Sequence, residues 1–223
     1  MLTLYHCVSA RSLRPLWMLE EIGLPYRLEM LPFPPRFERR DYLALNPLGT
    51  VPLLLDGAVR MTESSAICEY LAVRYAPPAL RVEPDDAGFA DYLNFLHLGE
   101  ATLTFPQTLV LRYGQFEPPE RRAPQVVEDY RRWFLARLRA LEPRLTDTAF
   151  IACGRFTAAD VSVGYALLLA EHIGLAPDFT PAVATYWRRP GERPALQRAL
   201  AAQHEGALAQ GVSPLPSPEA HKD

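Results

Sequence analysis

Asn46 to Leu71 reads NPLGTVPLLLDGAVRMTESSAICEYL, and the order of features within this stretch decides the fold. Val51 to Leu55 and Ala58 to Met61 are short apolar runs separated by Asp56-Gly57. That dipeptide signals a two-residue hairpin, so two adjacent antiparallel strands are expected. Pro52 opens the first run. A proline brings no N–H to a ladder, which confines it to an edge, a bulge or a cis bond. Thr62-Glu63-Ser64-Ser65 then precedes Ala66, Ile67, Tyr70 and Leu71, apolar positions at helical spacing behind residues that favour caps. A helix starting there presents unpaired N–H groups and partial positive charge, which favour a carboxylate. An open strand edge beside such a helix start describes a site for a small anionic peptide.

The whole pattern, NPxGxVPxL followed by ESxAIxxYL, resembles the glutathione-binding half of the glutathione S-transferases. The resemblance implies that Val51 and Pro52, as a Val-Pro pair with a cis proline, bond the cysteinyl backbone of glutathione. It implies that Glu63 and Ser64 hold the γ-glutamyl amine and carboxylate. Outside this context Glu63 and Ser64 read as a simple helix cap.

Working outward toward the N-terminus, Leu2 to Tyr5 reads as a strand and Leu13 to Ile22 as a helix with an apolar face, stopped by Gly23. Tyr26 to Met30 is a second strand, which makes the opening a strand-helix-strand crossover with parallel strands. Pro32 and Pro34-Pro35 mark a loop, and Phe37 to Leu45 is expected as a second helix. With the hairpin and a helix from Ser64 to about Tyr75, the order is β-α-β-α-β-β-α. The resemblance gives this order its name, an α/β thioredoxin-like domain.

Between the first strand and first helix lies HCVSARS. A thiol has a pKa of about 8.5, and hydrogen-bond donors or a helix N-terminus lower it by favouring the thiolate. Members of the family place a serine hydroxyl or a cysteine at this turn. By alignment on Arg14, Ser9 falls at the serine position of zeta-like members, Ala10 at the delta-like position and Arg11 at the cysteine of beta-like members. Ser9 is therefore the first candidate for thiol activation and Ser12 the second, with Arg11 as an electrostatic helper. Ser12 also reads as an ordinary N-cap. Cys7 is an alternative nucleophile, or a core residue ending the first strand. The resemblance implies that Arg36 pairs with the glycine carboxylate of glutathione, while Thr50 stands where the family often has lysine, which leaves that carboxylate less well provided for. Arg39 and Arg40 read as surface charges.

Downstream the apolar periodicity stops at Ala76-Pro77-Pro78. The expected organisation is a glutathione-binding domain over 1–76, a linker over 77–86, an all-α domain over 87–211 and a mobile tail over 212–223. Asp91 to Tyr113 reads as a long helix kinked at Pro106, and Gln125 to Leu145 as an amphipathic arginine-rich helix. Thr157 to Asp160 forms a capping box, with Phe156 and Val161 able to staple it, opening a buried helix to about Ile173. Phe179 to Trp187 and Ala195 to Gln203 are shorter helices. The resemblance implies that the helical domain supplies an apolar wall for a second substrate, with Phe105, Leu109, Tyr113 and Tyr165 as candidates.

The formal charge of -3, from Lys+Arg 23 and Asp+Glu 26, provides no basic field for nucleic acid or anionic membrane. The three cysteines, at 7, 68 and 153, make no metal-ligand spacing, and such a sparse set suits a reducing cytoplasm. Neither a signal peptide nor a run long enough to span a bilayer is read. The resemblance implies a cytoplasmic homodimeric transferase of detoxification type, using glutathione as co-substrate, with no metal. Three alternatives stand beside it: a glutathione-dependent isomerase; a lyase, since Ser12-Leu13-Arg14-Pro15 resembles the turn of bacterial β-etherases; and a non-catalytic interaction protein of the same fold. Arg11 and Leu13 depart from the zeta isomerases, and the four intact site types weigh against loss of catalysis.

Overall fold

Leu2, Leu4 and His6 alternate with Thr3 and Tyr5, and this period of two sets β1 (Leu2–His6) with its first set buried. The computed structural model describes residues 1–217. Helix α1 (Leu13–Ile22) follows, burying every residue from Leu13 to Leu19, and Gly23 closes it at φ 75° with its N–H on the Leu19 carbonyl. Strand β2 (Tyr26–Met30) pairs parallel with β1, from Leu2 opposite Tyr26 to His6 opposite Met30.

The expected helix over Phe37 to Leu45 is instead two short pieces. Helix α2 (Pro35–Glu38) starts early on Pro35 at its first position, and a 3-10 turn runs over Arg40–Ala44. Arg39 divides them at φ -134°, ψ 74°, outside helical space. The hairpin is also offset by one residue. Strand β3 (Leu53–Asp56) pairs antiparallel with β1 and with β4 (Val59–Met61), and Asp56 pairs with Val59. The two turn residues are thus Gly57-Ala58, with Gly57 at φ 58° supplying the left-handed first position. The sheet order is β2-β1-β3-β4, so the strand after Pro52 is paired on both sides and is not the open edge expected; Pro52 is accommodated by a cis bond before the ladder begins. Helix α3 (Ser64–Tyr75) has the expected bounds.

The described residues divide into two compact units, one of Met1–Pro77 with the chain from Arg193 onward, the other of Pro78–Glu192. The second unit is helical. In it, α4 (Phe89–His97) and α5 (Phe105–Leu111) are joined by wide π-type turns over Leu98–Thr104. The long helix read from Asp91 to Tyr113 is thus interrupted where Pro106, lacking an N–H, approaches. Gly99 lies so close to the neighbouring helix that a Cβ there would stand 2.4 Å from Ser162 Oγ. Helices α6 (Pro124–Thr146), α7 (Ala158–His172) and α8 (Pro181–Gly191) complete the unit. Thr157 Oγ1 accepts from the Ala159 N–H, and the Asp160 carboxylate accepts from the Thr157 N–H at 3.0 Å, so the capping box is present.

Helix α9 (Pro194–Ala209) groups with the first unit, whereas the organisation expected above kept it in the helical domain. Its attachment is polar and specific. Arg193 forms a two-pronged pair with Glu21 at 2.6 and 2.7 Å, and Arg198 pairs with Glu20. Gln210 accepts from the Met30 N–H and donates to the Leu28 carbonyl, covering the edge strand β2. Of the tail expected to be mobile over 212–223, Val212, Ser213, Leu215 and Ser217 line a shallow pocket with Val8, Leu31, Pro32, Phe33 and Glu38; residues 218–223 lie outside the described residues. No helix among the described residues is long and apolar enough to cross a membrane.

Candidate functional site

Strand register gathers the candidate residues of the first unit at one end of the sheet. The β3–β4 ladder closes with Leu54 opposite Met61, so Val51, three residues before Leu54, and Ser64, three residues after Met61, lie beyond the same end of the sheet. The β1–β3 register, Tyr5 opposite Leu53, brings Cys7 and the turn after it to that same end. Cys7, Leu31, Tyr42 and Leu53 form a buried cluster there, with Ala10, Phe33 and Val51 packed against it. Arg14, fully buried on α1, donates through Nη1 to Ser64 Oγ at 3.1 Å, tying the first helix to the start of α3.

Val51 and Pro52 are joined by a cis peptide, and a second cis bond, Phe33–Pro34, was not read from the sequence. The loop before them is braced by Asn46, only 2% exposed. Its side chain donates to the Thr50 carbonyl at 2.8 Å and accepts from the Leu48 N–H at 3.1 Å, and Tyr42 also donates to the Thr50 carbonyl at 2.8 Å. Gly49 adopts φ 60° against α2, where a Cβ would lie 2.6 Å from that of Arg36. The asparagine and glycine of NPLG therefore have a local role: together they deliver Val51 to the sheet in one fixed orientation. The ladder ends at Leu53, and no backbone hydrogen bond of the described residues uses the amide or carbonyl of Val51. Extended peptide backbone can add there.

Glu63 is exposed and extended (φ -85°, ψ 116°), one residue before α3, and caps no N–H with its side chain. Ser64 and Ser65 are buried in the first turn. Arg36 is exposed on α2 with its guanidinium 4.8 Å from the Phe37 ring centre, and Thr50 is exposed.

The turn after β1 separates the two serines. Ser12 is fully buried and its Oγ accepts from the Cys7 N–H at 3.3 Å, so that hydroxyl holds the turn together. It makes no side-chain cap to α1, unlike the N-cap reading. Ser9 is half-buried at φ 55°, a left-handed conformation that costs a non-glycine residue on the order of 1 kcal/mol. Arg11 is likewise half-buried. Cys7 is fully buried, and burial pushes its thiol up to about 12. A thiol so placed is a packing group. Cys68, also buried, is pushed up to about 12 by the same cause.

In the second unit Phe105, Leu109 and Tyr113 stand four residues apart along one face of α5 and its continuation, with Phe105 53% exposed and the other two half-buried. Tyr165, 3% exposed on α7, packs in the core.

Residues 8–74 match the family model described as Glutathione S-transferase, N-terminal domain. The chain is 30% identical over 210 residues to Glutathione S-transferase 3 of Zea mays, covering 87% of this chain and 90% of that one. It is 36% identical over 109 residues to Glutathione S-transferase 3 of Schizosaccharomyces pombe, a match to 46% of this chain and 43% of that longer one. Among solved structures, the glutathione transferase URE2P6 of Phanerochaete chrysosporium, in complex with oxidised glutathione, superposes with a TM-score of 0.80 at 26% identity, covering 93% and 96% of the two chains.

Proposed function

The chain belongs to the glutathione S-transferase family, and from that premise we propose that it binds glutathione in its first unit and activates the glutathione thiolate for attack on an electrophilic, largely apolar second substrate. The observation that carries this reading is the backbone of Val51, left outside the ladder at the end of the sheet from which α3 starts. The cysteinyl backbone of glutathione pairs with Val51. Its γ-glutamyl carboxylate takes Ser64 and the free N–H groups of α3, with Glu63 holding the amine. Arg36 and Thr50 serve the glycine carboxylate.

Ser9 donates its hydroxyl to the glutathione sulfur. The burial of Ser12 and its bond to the Cys7 N–H favour this assignment over Ser12. Arg11 adds positive charge near the sulfur. Phe105, Leu109 and Tyr113 offer apolar surface to the electrophile, and Tyr165 supports them from the core. The active form is a cytoplasmic homodimer that needs neither metal nor membrane.

The test is an ultraviolet titration of the thiolate absorption of bound glutathione. The bound thiol should titrate at least one unit below the free value of about 8.5. A bound thiol with the free value would leave a glutathione-binding protein without thiol activation.

A further inference from the structure

Gln203 lies on α9, 194 residues from the turn that carries Ser9, and is 6% exposed. Its Oε1 accepts two hydrogen bonds, from the Ser9 N–H at 3.0 Å and from His6 Nε2 at 2.9 Å. The Ser9 N–H can only donate, so the amide atom facing it is the oxygen. The proton shared with His6 must then sit on Nε2. Burial drives the His6 pKa down to about 4, so the ring remains neutral and keeps this tautomer.

The bond to Ser9 falls on the central peptide of a tight turn. Ala10 N–H donates to the Cys7 carbonyl at 3.1 Å, and of the two central residues Val8 and Ser9 only Ser9 has positive φ, at 55°. This is the pattern of a type II turn, which differs from type I by a flip of the peptide between the central residues. Serine at the third position favours type I, because it lacks the freedom of glycine there. An acceptor fixed beyond the turn on the Ser9 N–H side reverses that preference.

Resting on the reading that Ser9 activates the glutathione thiol, we infer that Gln203 is a positioning residue for catalysis: its side-chain oxygen holds the Val8–Ser9 peptide in the flipped orientation and thereby aims the Ser9 hydroxyl. Gln203 acts through its bond to the Ser9 N–H, and a type I turn would carry the same hydroxyl in another direction.

Gln203→Leu keeps the bulk and removes the acceptor, whereas Gln203→Glu keeps an acceptor for the Ser9 N–H. In Gln203→Leu, turnover should fall about tenfold, the effect of one lost neutral hydrogen bond, and the bound thiol pKa should rise, with the dissociation constant for glutathione changed less than about twofold. Gln203→Glu should recover most of the loss. Folded Gln203→Leu protein with wild-type turnover and thiol pKa overturns the inference. Amide hydrogen exchange in the wild type gives a second, independent reading: the Ser9 amide should be protected, and exchange at the rate of an open loop overturns the inference even if Gln203→Leu fails to fold. A wild-type protein that binds glutathione without lowering its thiol pKa contradicts the proposed function instead, and protection of the Ser9 amide that Gln203→Leu abolishes still bears out the positioning.

Discussion

Asp160→Ala is expected to destabilise the helical unit by about 3–5 kcal/mol, several times the roughly 1 kcal/mol of an ordinary lost N-cap. The difference comes from what the carboxylate does beyond capping. Asp160 is fully buried, and one oxygen accepts from the Ile151 N–H and the Tyr186 hydroxyl, both at 2.9 Å, while the other accepts from the Thr157 N–H. Alanine strands three buried donors at once, each costing about 1–3 kcal/mol when unsatisfied. Thr157→Ala removes the acceptor for the Ala159 N–H and a long 3.4 Å hydrogen bond from the threonine hydroxyl to Asp160, and leaves the other Asp160 partners in place, so it should cost about 1 kcal/mol. Urea denaturation of both variants checks the ratio. An Asp160→Ala loss no larger than that of Thr157→Ala would show that the three donors find other partners.

The same group sets a pH dependence. Burial raises its pKa from 3.8 to about 6 against the pull of its donors. A raised carboxylate pKa gives a contribution that is full below about pH 4 and lost as the pH climbs through 6. Asp160→Asn should lack that slope.

Ser9→Ala carries the second large effect. If the Ser9 hydroxyl donates to the thiolate, its removal takes away a hydrogen bond made to charge. Turnover should then fall on the order of a hundredfold. Glutathione affinity should hold within about threefold, since the tripeptide is gripped mainly at Val51 and Ser64. The bound thiol should titrate back toward about 8.5. Ser12→Ala should do the reverse: about 1 kcal/mol of stability lost as the Cys7 N–H goes unpaired, with turnover little changed. Steady-state kinetics of the two variants separate them. Equal turnover in Ser9→Ala and wild type would reject Ser9 and promote Ser12 or Arg11; buried Cys7 is a poor substitute.

What the sequence revealed and what it concealed divide by range and by polarity. The sequence located α1, β2 and α3 at their observed bounds because local signals mark them: Gly23 stops α1, and capping residues open α3 before a run that buries Ile67, Cys68, Leu71 and Ala72. The helix expected over Phe37 to Leu45 failed because Arg39 leaves helical space between two short segments, a departure that no apolar pattern records. At the hairpin, Asp56-Gly57 signalled the turn correctly, but Asp56 is already paired with Val59 and the loop moves one residue on.

The site shows the same division. Pro52, Ser64 and the NPLG loop lie in one continuous stretch, and so were legible together. Arg14 beneath Ser64 and Gln203 beneath Ser9 are polar partners separated from them by 50 and 194 residues. A glutamine within the Ala- and Leu-rich run of α9 gives no sign of the turn it meets until the fold is known. The helical pattern runs on through α9, and the ion pairs to Glu20 and Glu21 on α1 that group it with the first unit leave no periodic trace.

Calorimetric titration of glutathione into wild type and Ser64→Ala at neutral pH tests the central claim most directly. Saturable binding is predicted, weakened about tenfold or more in Ser64→Ala, as expected for one lost hydrogen bond to a carboxylate. Folded wild-type protein that takes up no glutathione, or a Ser64→Ala variant that binds as the wild type does, would contradict the account.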